Sequence, residues 1–148
     1  MDKFLLHLRI LDRILEKKIN ALIQILNITE NQKTVLSGSS HDHSALLLYN
    51  GMRVEKQKLI DFINESDKVF EKTYREISPD FTCKAHNHAG LVTRLQGRIK
   101  LVTDLDVRIR VQESRNNGLR LSGKRVLDNK SARKRVARIY EKNKQPPI

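Results

Sequence analysis

The residues whose types and spacing could support metal binding or catalysis are two histidine pairs and a single cysteine. His41 and His43 form one His-x-His pair, and His86 and His88 form the other, with Cys83 three residues before it. Zinc accepts imidazole nitrogen and thiolate sulfur as ligands. The two pairs fall in loops on either side of a long helical segment, so a site would have to be local, built from Cys83, His86 and His88. Two polar loops that contain histidine explain the same pattern, and we expect no metal site.

Other catalytic signatures in the sequence are weak. Cys83 and His86 could form a thiol nucleophile, but the sequence supplies no third group to orient them. Asp104 and Asp106 lie two residues apart, and on a helix such residues point to different faces, so they cannot share a proton. The six glycines are scattered and form no phosphate-binding loop. We therefore expect no catalytic residues, no cofactor and no enzymatic activity.

The strongest physical signal is the uneven distribution of positive charge. The chain has 148 residues and a net charge of +12. Residues 115–148 contain eleven Lys or Arg against two acidic residues, Asp128 and Glu141, so this stretch carries +9 of the total. These numbers indicate a nearly balanced helical body, residues 1–118, followed by a basic C-terminal tail, residues 119–148.

The basic tail is compatible with several partners. Its central cations could follow a phosphate backbone, and they are Arg133, Lys134, Arg135 and Arg138. A basic helix with an apolar stripe could also bind an anionic membrane surface or an acidic protein, and such a tail can simply be solvated. Nucleic-acid readers usually add stacking aromatics, whereas the tail contains one aromatic residue, Tyr140. A protein partner is therefore favoured, with nucleic acid as the alternative.

Three long segments show the apolar spacing of a helix face. The first runs from about Asp2 to Leu36, with Asp12 among the residues assigned to its polar side. Its face is spaced in threes and fours and consists of Phe4, Leu8, Leu11, Leu15, Ile19, Leu22 and Leu26. The second runs from Ser44 to Ile77, and Lys56 interrupts its stripe. We expect the second helix to end at Ile77, because the residue before Pro79 avoids helical dihedral angles.

The third helix is expected from about His88 to Asn117, where Gly118 and then Gly123 weaken the helical pattern. A short last helix could follow from Ser131 to about Lys142. Its narrow apolar stripe would include Val136, Ile139 and Tyr140.

These patterns predict an all-α protein, an elongated antiparallel three-helix bundle with a partly ordered basic C-terminal segment. The predicted loops, residues 37–44 and 78–87, favour antiparallel neighbours. One cysteine excludes an intramolecular disulfide framework. No apolar run approaches the roughly 18 residues that a membrane span needs, and the N-terminus shows no signal-peptide cleavage site. We therefore expect a cytoplasmic protein without a transmembrane segment.

Three stretches of the helical pattern carry a family resemblance. They are residues 26–36 at the end of the first helix, residues 59–74 of the second, and residues 95–116 of the third, which closes with Glu113-x-x-Asn116. With two intervening loops and a loose C-terminal segment, this order covers most of the chain. It resembles the small helical export chaperones of the bacterial flagellum, of the FlgN and FliT kind. The resemblance implies a non-enzymatic chaperone that holds an axial subunit, a hook–filament junction or cap protein, by an amphipathic C-terminal helix before export.

A long three-helix bundle also leaves a groove that a fourth helix can fill, whatever family the chain belongs to. Val92 and Ile99 lie beside the main seam of the third helix, so they are candidate partner-binding residues, and ordinary core positions are the competing interpretation. Val136, Ile139 and Tyr140 are further candidates, either for a partner or for the chain's own groove. The alternative function is RNA or DNA binding through the basic tail.

Overall fold

The computed structural model describes residues 2–38 and 43–132, and side chains as far as Leu121. Helix α1 spans Lys3–Ser37, α2 spans His43–Lys84, a 3₁₀ turn spans Ala85–His88, and α3 spans Ala89–Ala132. No strand occurs in the described residues, so the prediction of an all-α protein is confirmed. None of the described helices is long and apolar enough to cross a lipid bilayer.

The start of α1 is fixed by Asp2. Its carboxylate accepts a hydrogen bond from the Phe4 amide at 2.9 Å, which satisfies one of the unpaired donors of the first turn. His88, at the end of the 3₁₀ turn, lies 3.0 Å from the same carboxylate. The hydrogen bond with His88, assisted by backbone amides of α1, lowers the pKa of Asp2 below its usual value despite partial desolvation. The contact ties the start of α1 to the start of α3.

Helix α1 is the central element, because it packs against both α2 and α3. Two apolar clusters follow each other along it. The N-terminal cluster contains Phe4, Leu8, Leu11, Leu15, Ile77 and Leu95. The middle cluster contains Ala21, Leu22, Ile25, Leu26, Ile63, Leu105 and Ile109. Seven residues predicted for the face of the first helix thus point into the core, with Ile19 partly buried against the middle cluster.

Contacts between α1 and α2 run in opposite order along the two helices. Lys18 donates to the Asp67 carboxylate at 2.7 Å. Further along α1, Gln32 donates to the backbone carbonyl of Tyr49, earlier in α2, at 3.4 Å.

Contacts between α1 and α3 run in the same order along both helices. Arg98 donates to the backbone carbonyl of Asp12 at 2.9 Å, and Asn116 donates to that of Thr29 at 2.8 Å. The prediction that Asp12 lies on the polar side of α1 is wrong, because this residue is 9% exposed. Its carboxylate lies 3.1 Å from Arg94 and 3.3 Å from Arg98, so two cations of α3 offset the cost of burying its charge.

The prediction that Pro79 ends the second helix is wrong, since α2 continues to Lys84 with Pro79 inside it. A proline removes the hydrogen bond to the carbonyl four residues earlier, here that of Arg75. The hydroxyl of Ser78 donates to this carbonyl at 3.3 Å and so replaces the missing partner. Beyond the proline, Phe81 packs against the N-terminal cluster, and this packing supports the last turn of α2.

The expected end of the third helix near Asn117 is also wrong, because α3 continues through Gly118 and Gly123 to Ala132. A glycine lowers helix stability by about 1 kcal/mol without forbidding helical dihedral angles. Ser131 belongs to α3, and the remainder of the short last helix lies outside the described residues. The division of the chain at residue 118 stays a prediction.

Candidate functional site

An open groove of about 560 Å³ lies between α2 and α3, and α1 forms its floor. Leu22 and Ile25 contribute the floor, because they belong to the wide apolar face of α1. The apolar wall residues are Ile60 and Ile63 from α2, and Val102 and Ile109 from α3. The groove thus exposes part of the middle cluster to the solvent.

The charged residues along the middle of the groove are paired with one another. Lys18 and Asp67 lie 2.7 Å apart, and Asp106 and Arg110 lie 3.0 Å apart. Exposed pairs of this kind contribute little to stability. They do leave the middle of the groove with an apolar floor and no net charge. That combination suits the apolar face of an amphipathic helix better than a charged small molecule.

A buried polar network centred on Lys56, which is 6% exposed, lies at one end of the groove. Its ammonium group donates to the side-chain carbonyl of Gln32 at 2.7 Å and to the hydroxyl of Thr29 at 3.3 Å. It also forms an ion pair with Glu113 of α3. A lysine has three donor hydrogens, so its hydrogen-bonding capacity is fully used.

The network extends through α3. Gln112 donates to the side-chain carbonyl of Asn116 at 2.9 Å, and Asn116 donates to the backbone carbonyl of Thr29 at 2.8 Å. Thr29, Gln32 and Asn116 have no exposed surface. A buried polar group without a hydrogen-bond partner raises the free energy of the fold. A shift of any one helix along its axis would break these hydrogen bonds and would therefore be unfavourable. The network therefore fixes the register of all three helices at this end of the groove.

Sequence reasoning missed this network. Lys56 looked like an interruption of the apolar stripe in α2. A signal was present nonetheless: Thr29 and Gln32 continue the core spacing of α1 after Leu26, and Asn116 continues that of α3 after Ile109. Polar residues at core positions of three helices indicate a buried network.

A second, smaller cleft of about 250 Å³ continues the groove past the network. Ile60 and Glu113 line both cavities, so the two are adjacent. The remaining lining residues are Tyr49, Arg53, Lys56, Gln57, Asn117 and Arg120. Three of the lining side chains are cationic against one carboxylate, so this end of the groove is basic.

The structure places two of the predicted partner-binding residues on α3. Val92 is partly buried against the N-terminal cluster, as the core interpretation expects. Ile99 is 47% exposed. It precedes Thr103 by four residues and Asp106 by seven, and both of these line the groove. Helical spacing therefore puts Ile99 on the groove side of α3.

Seven other predicted site residues lie outside the described part of the chain, and they are Arg133, Lys134, Arg135, Val136, Arg138, Ile139 and Tyr140. Of the residues considered for a metal site, Cys83 is exposed and His88 contacts Asp2. Within residues 2–38 and 43–132, no three His, Cys, Asp or Glu side chains form a group that could hold a metal ion.

Comparisons with known proteins found no matching family model, no matching curated protein and no matching solved structure. The groove, its polar end and its basic cleft are therefore the basis on which a function is assigned.

Proposed function

We propose that this protein is a non-enzymatic cytoplasmic chaperone or adaptor that binds an amphipathic helix of another protein. In this proposal the chain is an elongated antiparallel three-helix bundle, and the bound helix lies between α2 and α3. The observation that carries the proposal is the groove of about 560 Å³ with an apolar floor and internally paired charges. Helix-in-groove recognition uses this kind of surface.

The dimensions of the groove support a helical occupant. Along α3 its lining extends from Val102 to Glu113, which is twelve residues. At 1.5 Å per residue this is about 17 Å, or three turns of a bound helix. Such a segment presents apolar residues at positions i, i+3 or i+4, and i+7 to the floor. Ile60, 36% exposed, and Ile99 add apolar surface that the chain itself leaves uncovered.

The proposed clients are axial subunits of the bacterial flagellum, hook–filament junction or cap proteins, held before export. The support for this choice is the resemblance of the helix pattern, including the Glu113-x-x-Asn116 ending of the predicted third helix. Both residues belong to the buried network at one end of the groove.

The test is a titration of the full chain with fluorescent peptides from the C-terminal helices of junction and cap proteins. We expect saturable binding, weakened about tenfold or more by Ile60→Glu or Ile99→Glu, because either carboxylate would enter an apolar contact. Val111→Glu is the matched control. Val111 is a similarly exposed apolar residue of α3, at 44%, that does not line the groove and is not three, four or seven residues from any α3 residue that does. Absence of binding, or equal weakening by the control, would contradict the proposal.

The alternative function is binding of RNA or DNA through the basic tail, and the concentration of +9 in residues 115–148 favours it. Replacing Arg133, Lys134 and Arg135 would then lower affinity for all sequences and flatten the salt dependence by up to about one unit per lost phosphate contact. A pull-down with and without nuclease separates the two functions. Recovery of nucleic acid alone, lost on nuclease treatment, would favour the alternative.

A further inference from the structure

We infer that the basic cleft, defined by Arg53 and Arg120, recognises carboxylates on the helix that the groove binds and thereby sets the direction in which that helix lies. The inference rests on the proposed function. The partner is then an amphipathic helix with acidic residues near one end.

The charge distribution along the groove supports this inference. At the end of the groove opposite the cleft Lys18 is paired with Asp67, and nearer the middle Asp106 is paired with Arg110, so neither place carries a net charge. In the cleft, Lys56 and Glu113 neutralise each other. Arg53 and Arg120 remain, and within the described residues neither of them forms an ion pair.

The chemistry of these two arginines points to carboxylates. Both side chains belong to exposed residues of the same cleft, one from α2 and one from α3. A guanidinium group forms paired hydrogen bonds with a carboxylate. A helix that enters the groove with glutamate or aspartate at this end would supply the missing negative charge, whereas one entering the other way would place those residues beside the Lys18–Asp67 pair.

The distance between the cleft and the apolar floor predicts how far apart the acidic and the apolar residues of the partner helix lie. Arg53 precedes Ile63 by ten residues in α2, and Arg120 follows Ile109 by eleven in α3. Both separations correspond to about 15 Å along a helix axis. The partner helix therefore carries its acidic residues about three turns from the apolar residues that contact the middle cluster.

The experiment uses synthetic 18-residue helical peptides with one leucine stripe and either three glutamates or three glutamines in the last turn. We expect the glutamate peptide to bind the full chain about five- to tenfold more tightly at low salt. The difference should vanish in Arg53→Gln/Arg120→Gln. It should persist in Lys58→Gln/Arg108→Gln, which removes the same charge from exposed residues that do not line the groove.

The direction of the bound helix can be read from Cys83, the single cysteine, which is exposed near the C-terminal end of α2. Cys83 is thirty residues from Arg53 along α2, about 45 Å. With a donor dye on Cys83, energy transfer should be stronger when the acceptor is on the apolar end of the glutamate peptide than on its acidic end.

The outcomes distinguish the inference from the proposed function. If both peptides bind equally, or if the preference survives in Arg53→Gln/Arg120→Gln, the cleft does not recognise carboxylates, although the groove still binds a helix. Stronger transfer from the acidic end would refute the assigned direction. If neither peptide binds, the proposed function fails together with the inference.

Discussion

At the scale of single residues, Lys56 links all three helices. It joins α2 to Thr29 and Gln32 of α1 and to Glu113 of α3, beyond the end of the middle cluster. The sequence could not reveal this role from α2 alone, because a lone lysine in an apolar stripe looks like a gap. Its partners lie 24 to 57 residues away in the chain. Only the packing of three helices brings them together.

Replacing Lys56 with alanine should lower the free energy of unfolding by about 3 kcal/mol, because Gln32 and Glu113 lose a buried cationic partner. Urea denaturation followed by circular dichroism measures the change. Lys58→Ala is the matched control, since Lys58 is exposed on the same helix, and it should change stability by less than about 0.5 kcal/mol. Equal effects of the two substitutions would show that the network adds nothing to stability.

At the scale of elements, the helix starts and the end of α1 were predicted well, and the ends of α2 and α3 poorly. The expected starts at Asp2, Ser44 and His88 lie within one residue of the observed ones. Starts depend on local capping and periodicity, which a sequence displays directly. The ends predicted from Pro79 and Gly118 were wrong. In α2 the Ser78 hydroxyl replaces the hydrogen bond that Pro79 removes, and Phe81 packs against the N-terminal cluster. In α3 a glycine lowers helix stability without ending the helix.

Gly118→Ala tests whether α3 is continuous at this position. Gly118 has no positive φ angle, and an added Cβ would meet no atom within 4 Å. Alanine should therefore raise the free energy of unfolding by about 0.5–1 kcal/mol. If α3 instead ended here with Gly118 in a left-handed conformation, the substitution would be destabilising. Gly38→Ala is the comparison, because its Cβ would lie 3.3 Å from the Val35 carbonyl and should bring no gain.

At the scale of the whole molecule, the groove exists because α1 supplies a face wide enough for two neighbours. Leu22, Ile25 and Leu26 of α1 are all buried in the middle cluster, which gives the face this width. The sequence also predicted Ile99 beside the main seam of α3, where this residue is exposed, and its part in binding stays a prediction. The α2 wall and the basic cleft could not be predicted. They depend on the distance between α2 and α3, which the apolar spacing within each helix does not determine.

A chain that ends at Ala132 should keep the helical fold. It lacks six Lys or Arg and one Glu, but every core residue assigned to the two apolar clusters remains. We expect the thermal midpoint to stay within about 3 °C of the full chain, which corresponds to about 1 kcal/mol. Circular dichroism on both chains measures helicity and midpoint. A large loss of helicity would show that residues 133–148 are part of the folded core, and a β-rich spectrum would contradict the fold itself.

The parallel contacts between α1 and α3 also have a consequence for protein synthesis. Asp12 and Thr29 meet their α3 partners, Arg98 and Asn116, across 86 and 87 residues of sequence. A ribosome-bound chain that has been made only as far as α2 leaves one flank of α1 bare, with Asp12 unneutralised. Contacts that span so much sequence form late and slowly. The nascent chain therefore exposes an apolar flank during synthesis until α3 emerges to cover it.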